Sequence, residues 1–204
     1  MSASPLPIER AAVTGLVLAG GLGRRMSVDG AGLDKALVPF RGRPLIAHAI
    51  DRLAPQVETL LINSNRPASD YAAFGLTVVP DAVDGFAGPL AGLQAGLVAA
   101  RTPWVATAPC DSPFLPRDLV ARLGAAAVGS GAPIAFASTA AQRQPVFALV
   151  RRALAADLLD FLVAGGRKID AWMDRHGAIE VDFVDEAAFR NLNTPGDVRR
   201  HESR

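Results

Sequence analysis

A single cysteine, Cys110, stands in a chain of 204 residues. One thiol excludes an internal disulfide framework and a zinc site built on several thiolates, and it fits a reducing, cytoplasmic setting. No apolar stretch approaches the ~18 residues that a membrane span needs. An excess of charge of one sign is also lacking: 21 basic residues face 20 acidic ones. Bulk electrostatics therefore gives no reason to expect nucleic acid or a membrane surface as a partner. The histidines, His48, His176 and His201, are too widely spaced to read as a metal-ligand cluster. His48 belongs to a helical segment, and the other two read as surface residues. No Gly-Lys pair occurs anywhere, which removes the G-x-x-x-x-G-K-[ST] phosphate loop from consideration. An export signal is not expected either, because glycines break the apolar run after Arg10 early and Arg24-Arg25 follow it.

What is present is a chain half apolar in composition, enough to bury a sizeable core in one domain. Short apolar runs alternate with amphipathic ones, the pattern of a mostly parallel Rossmann-like sheet covered by helices in a three-layer α/β sandwich. Strands are expected over 13–18, 57–62, 76–79, 104–108, 134–137, 146–150 and 179–183. Helices are expected over 44–53, 89–101, 116–123, 153–163 and 168–175, the first three opened by prolines whose missing N–H costs nothing there. The alanine-rich stretch 125–132 reads as a loose connection. Residues 13–110 would form a nucleotide-binding half and residues 111–204 an acceptor-binding half.

In open α/β sheets ligands sit at the carboxyl ends of the strands, so the residues after each strand are the candidates. The first strand runs into Ala19-Gly20-Gly21-Leu22-Gly23-Arg24-Arg25-Met26. Its free N–H groups and following cations suit a polyphosphate, although a plain strand-to-helix turn has the same glycines. A dinucleotide fingerprint fits less well, because Met26 takes its third glycine position. Asp111, bracketed by Pro109 and Pro113, suits magnesium, which takes one or two protein oxygens and completes its shell with water and phosphates. It equally suits a turn cap. Lys35, beside Asp34, is either a phosphate ligand or a solvated loop lysine. Asn63 and Asp81 can bind a ribose or a base, or simply close strand-end turns.

Several strings together narrow these alternatives. Leu18-Ala19-Gly20-Gly21-x-x-x-Arg25-Met26, Asp34-Lys35-Ala36-Leu37 and Gly42-Arg43-Pro44-Leu45 resemble the N-terminal signature of nucleotidyltransferases that make nucleotide-activated sugars and cofactors. Asn63-Ser64-Asn65-Arg66, Gly88-Pro89-Leu90-Ala91-Gly92, Cys110-Asp111-Ser112-Pro113, Gln144-Pro145-Val146, Lys168-Ile169 and Asn191-Leu192-Asn193-Thr194-Pro195 are similar to the molybdenum cofactor guanylyltransferases. Two departures stand out: Ser27 replaces a glycine, and segment 27–33 is longer than the family pattern.

The resemblance implies transfer of GMP from GTP to the terminal phosphate of molybdopterin, with release of pyrophosphate and with Mg²⁺ as cofactor. It implies that Leu18, Ala19, Gly20, Asn63 and Asp81 contact guanosine, and that Gly21, Arg24 and Arg25 hold the outer phosphates. Lys35 would face the α-phosphate and Asp111 the metal. Gly88, Pro89, Leu90, Gln144, Asn191 and Asn193 would face the acceptor, with Arg143 and Lys168 either anchors for its phosphate or solvated side chains. Molybdenum-insertion proteins and molybdoenzyme chaperones would be transient partners. A cytidylyltransferase, a sugar-phosphate nucleotidyltransferase and a non-catalytic cofactor-delivery module remain as alternatives.

Overall fold

The structure is a computed structural model that describes residues 8–20, 34–82 and 88–202. Its strands are β1 (Val13–Leu18), β2 (Pro39–Phe40), β3 (Arg43–Pro44), β4 (Thr59–Asn63), β5 (Thr77–Val79), β6 (Trp104–Pro109), β7 (Ile134–Thr139), β8 (Gln142–Arg151) and β9 (Ile179–Asp182). The helices are α1 (Leu45–Leu53), α2 (Pro89–Ala99), α3 (Leu119–Ser130), α4 (Ala155–Val163), α5 (Ile169–Arg175) and α6 (Pro195–Glu202). Seven strands form one sheet in the order β5-β4-β1-β6-β8-β7-β9, and β2 pairs with β3 in a separate small ribbon. Among the described strands of the seven-stranded sheet, only β8 runs against its neighbours. This is the mostly parallel α/β sandwich expected from the sequence.

Both sheet faces are covered because successive strand residues point to opposite sides. Val13 and Val17 of β1 join Ile46, Ala49 and Leu53 of α1 and Leu119 and Leu123 of α3 in one apolar layer. Leu16, between them, joins Leu93 and Leu97 of α2, Leu158 and Leu162 of α4, and Trp172 of α5 in the other. Helix α2 is buried almost all round, from Leu90 to Leu97, and two of its glycines let it lie hard against the sheet. A Cβ on Gly96 would stand 2.3 Å from Leu16 Cδ2, and one on Gly92 would stand 2.1 Å from Asn63 Oδ1.

Three expectations are corrected, and one helix was not anticipated. Stretch 125–132 is not loose: α3 starts at Leu119, later than Pro116, and continues to Ser130. Alanine is the strongest helix former, and the helix ends only where Gly131 takes a left-handed conformation at φ 72°. The strand expected from 146 begins at Gln142, as the return arm of a hairpin. Helix α6 has too little apolar periodicity to announce itself, yet it carries a reciprocal cap. The Asp197 N–H donates to Thr194 Oγ1 at 3.1 Å, and the Thr194 N–H donates to Asp197 Oδ2 at 2.9 Å. His176 is not a surface residue; its side chain is 19% exposed and bonds Asp157 Oδ1 at 2.6 Å.

Candidate active site

The sheet register brings the polar strand ends into one row. Leu18 stands opposite Asn63 on one side and Pro109 on the other, and Asn63 stands opposite Val79. Because β8 is reversed, its beginning lies at the same edge as the ends of the parallel strands. A cavity of about 290 Å³ opens there, walled by Leu18, Ala19 and Gly20, by Asn63 and Asp81, by Gly88 and Pro89, and by Lys35, Asp111, Gln144 and Asn191. An open groove of about 820 Å³ follows the opposite edge, and none of the described candidate residues lines it.

The two ends of the cavity differ in chemistry. At one end, Lys35 Nζ pairs with Asp111 Oδ2 and donates to Asn193 Oδ1 at 2.6 Å. Asp111 is buried, and its other oxygen, Oδ1, has no hydrogen-bond partner among the described residues. An orphaned buried carboxylate oxygen is costly unless something binds it. The backbone around it is fixed: the Leu192 N–H donates to the Asp111 carbonyl at 2.9 Å, and Ser112 Oγ donates to Asn191 Oδ1 at 2.6 Å. The segment carrying Asn191 and Asn193 is thereby tied to the end of β6. Burial, then the neighbouring Asp111 carboxylate, pushes the Cys110 thiol well above its usual range. It is a wall group rather than a nucleophile.

At the other end, Asp81 collects amides. Asn63 Nδ2 donates to its Oδ1 at 2.9 Å and Asn65 Nδ2 to its Oδ2 at 2.9 Å, while the Asp81 N–H donates to Asn65 Oδ1 at 2.8 Å. Asn63 is 3% exposed, held between Gly20 and Gly92. The Leu18 carbonyl already accepts from the Cys110 N–H at 3.0 Å, and the Ala19 N–H donates to the Asn63 carbonyl at 2.8 Å. These two bonds hold the strand ends together.

Other candidates lie elsewhere. Leu90 is 2% exposed and packs in the α2–α4 core, so its place is in the support of the loop, not the cavity wall. Arg143 is engaged by Asp174 at 2.8 Å, Asp170 at 3.2 Å and Glu180 at 3.5 Å, and lies over the Phe136 ring at 4.6 Å. It is occupied as a structural cation and does not line the cavity. Lys168 is exposed ahead of α5. Gly21, Arg24 and Arg25 lie outside the described residues. Sequence reading missed Tyr71, the chain's only tyrosine. Its hydroxyl donates to Asp34 Oδ2 at 2.6 Å, and no strand end marks it.

An α/β sheet with a carboxylate, a lysine and a row of amides gathered at its carboxyl edge has the ligand site where open α/β sheets of this class carry it. The MobA-like NTP transferase domain model matches residues 15–179. The chain is 52% identical over 197 residues to a molybdenum cofactor guanylyltransferase of Ralstonia nicotianae, covering 92% of this chain and 95% of that one. It is 50% identical over 202 residues to one from Cupriavidus taiwanensis, covering 97% and 100%. The fold matches that of molybdopterin-guanine dinucleotide biosynthesis protein A from Archaeoglobus fulgidus with a TM-score of 0.74 at 22% identity, covering 93% and 97% of the two chains. The chain belongs to the MobA-like NTP transferase family and is a nucleotidyltransferase of molybdenum cofactor biosynthesis.

Proposed function

We propose that the chain transfers GMP from GTP to the terminal phosphate of molybdopterin, releasing pyrophosphate. The observation that carries this reading is the split cavity: an acidic acceptor at Asp81 and a lysine–carboxylate pair at Lys35 and Asp111. The names of the two relatives at 52% and 50% identity agree with it. Guanine offers N1–H and its 2-amino group as adjacent donors, which a carboxylate can accept; cytosine has no such pair. Asn63 and Asn65 hold Asp81 in place for that task, and Leu18, Ala19 and Gly20 wall the cavity beside it.

In the reaction a phosphate oxygen of molybdopterin attacks the α-phosphorus, a new P–O bond forms, and the bond to the α–β bridging oxygen breaks with its electron pair leaving on pyrophosphate. The attacking oxygen is already anionic, so no general base is needed. Lys35 Nζ neutralises charge that builds at the α-phosphate, and outer-phosphate contacts are assigned to Gly21, Arg24 and Arg25. Nucleotidyltransferases of this kind generally use a divalent metal. Asp111, through its unpartnered Oδ1, together with Asn191 or Asn193 would hold Mg²⁺, which would supply further charge neutralisation. Gly88, Pro89 and Gln144 form the wall left for the acceptor.

Competition among GTP, CTP and ATP with molybdopterin as acceptor tests the reading. GTP should lead in kcat/KM by ~10²-fold or more, because a wrong base leaves buried polar groups unpaired. If CTP matched or exceeded GTP, the enzyme would be a cytidylyltransferase. No pyrophosphate release with any nucleotide would leave a non-catalytic module.

A further inference from the structure

The two ends of the cavity are joined behind its wall by a chain of hydrogen bonds whose direction is fixed by chemistry. Asp34 carboxylate oxygens only accept, so Tyr71 donates its one proton to Asp34 Oδ2 at 2.6 Å. The Tyr71 oxygen must then accept from Ser64 Oγ at 3.1 Å, and Ser64 Oγ in turn accepts from the Arg66 N–H at 3.2 Å. Every donor has one acceptor and the order cannot be reversed. Tyr71 is 0% exposed, Ser64 1% and Asp34 8%, so no water competes for these bonds.

Each end of the chain sits beside a site residue. Ser64 follows Asn63, whose amide holds Asp81. Asp34 Oδ1 accepts the Ala36 N–H at 3.0 Å and so caps the one-turn helix Lys35–Leu37, from which Lys35 reaches Asp111 and Asn193. Arg66 Nε also approaches Asp34 Oδ2 at 3.6 Å. Burial and the Asp34 carboxylate raise the Tyr71 pKa far above that of an ordinary phenol, which keeps the hydroxyl a donor at any working pH.

We propose that the Tyr71 hydroxyl is a positioning group that links base recognition to catalysis, holding Lys35 through Asp34 and Asn63 through Ser64. The inference rests on the guanylyl-transfer reading for the identity of the base, not for the linkage. Asn63 held by a correct base keeps Ser64 in register, and the rigid phenol transmits that register to the lysine turn. A hydrogen bond to a charged group lost from a buried relay supports an effect of about tenfold or more.

The test is a double-mutant cycle run with whichever nucleoside triphosphate the wild type uses best, so that a wrong base assignment shows in the wild type alone. Tyr71→Phe keeps the ring and removes the hydroxyl. It should lower kcat about tenfold with KM for the nucleotide changed less than about twofold. In a Lys35→Ala background it should cost less than about twofold more, because the lysine it positions is gone. Ser64→Ala, which keeps the Tyr71–Asp34 bond, should narrow the kcat ratio between best and second-best nucleotide by about threefold or more. Equal losses from Tyr71→Phe in both backgrounds, or an unchanged nucleotide ratio in Ser64→Ala, would overturn the linkage; the second result decides even if Tyr71→Phe fails to fold.

Discussion

Lys35 and Asp111, 76 residues apart in sequence, form an ion pair at the floor of the cavity, and each is a group that a nucleotide or its metal would claim. The pair keeps both charges compensated until substrate arrives. Lys35→Ala should therefore lower kcat by on the order of 10²-fold, with a smaller change in KM for GTP. Steady-state kinetics with GTP varied separates the two; a rise in KM alone would make the lysine a binding group only.

Asp111→Asn tests the metal site. The amide keeps an acceptor for Lys35 Nζ, and the open cavity lets water reach the ammonium, so the circular dichroism spectrum should be unchanged. Turnover should fall below ~1% of wild type at any Mg²⁺ concentration, since a neutral amide is a poor ligand for a hard cation. Wild-type activity in this variant would remove Asp111 from metal binding.

Gly92→Ala should act at the base end. Its Cβ would meet Asn63 Oδ1 at 2.1 Å, Asn63 Cγ at 2.7 Å and Leu18 Cδ2 at 2.8 Å, contacts relieved only if both the amide and the Leu18 side chain move. Helix propensity would gain ~1 kcal/mol, while overpacking costs ~1–3 kcal/mol. Net stability should change little or fall modestly. KM for GTP should rise about tenfold as Asn63 leaves Asp81. Denaturant melts and nucleotide titration measure the two effects.

Acid stability has a named contributor. The Trp172 indole N–H, donating at 2.8 Å, and then His176 lower the Asp157 pKa from its ordinary value. The folded chain thus holds this proton less tightly than the unfolded one. The stabilisation is complete above about pH 4 and is lost as pH falls through the lowered folded value. Asp157→Asn keeps an oxygen for the indole but cannot titrate. Its stability should be lower at neutral pH by under about 1 kcal/mol, with a shallower decline on acidification, read by denaturant titration across pH 3–7.

Much of the fold was legible because apolar strands declare themselves by their runs: β1 was expected over its full observed length, and β6 within one residue. Lys35, Asn63, Asp81 and Asp111 could be placed at one edge because parallel strands carry their ends there. The end of α3 was hidden by a glycine, Gly124, that sits inside the helix against Ile8. Helix α6 rests on its cap rather than on an apolar stripe. Tyr71 was invisible for a different reason: it lies in a one-sided 3-10 segment, Ala68–Phe74, and its role arises from partners 7 and 37 residues away.

The reversed strand β8 divides responsibility for the cavity between two kinds of chain segment. The side proposed for the nucleotide is made where strands finish, at Leu18, Asn63 and Pro109, and is tied down by ladder bonds. The opposite wall is made where a strand begins, just after the two-residue tip Ala140-Ala141 of a hairpin. Hairpin tips tolerate insertion, because added residues loop into solvent without breaking the ladder behind them. Lengthening that tip would reshape the wall proposed for the acceptor and leave the strand ends proposed for the base in place, so in the proposed reading the scaffold could change what it modifies independently of what it modifies it with.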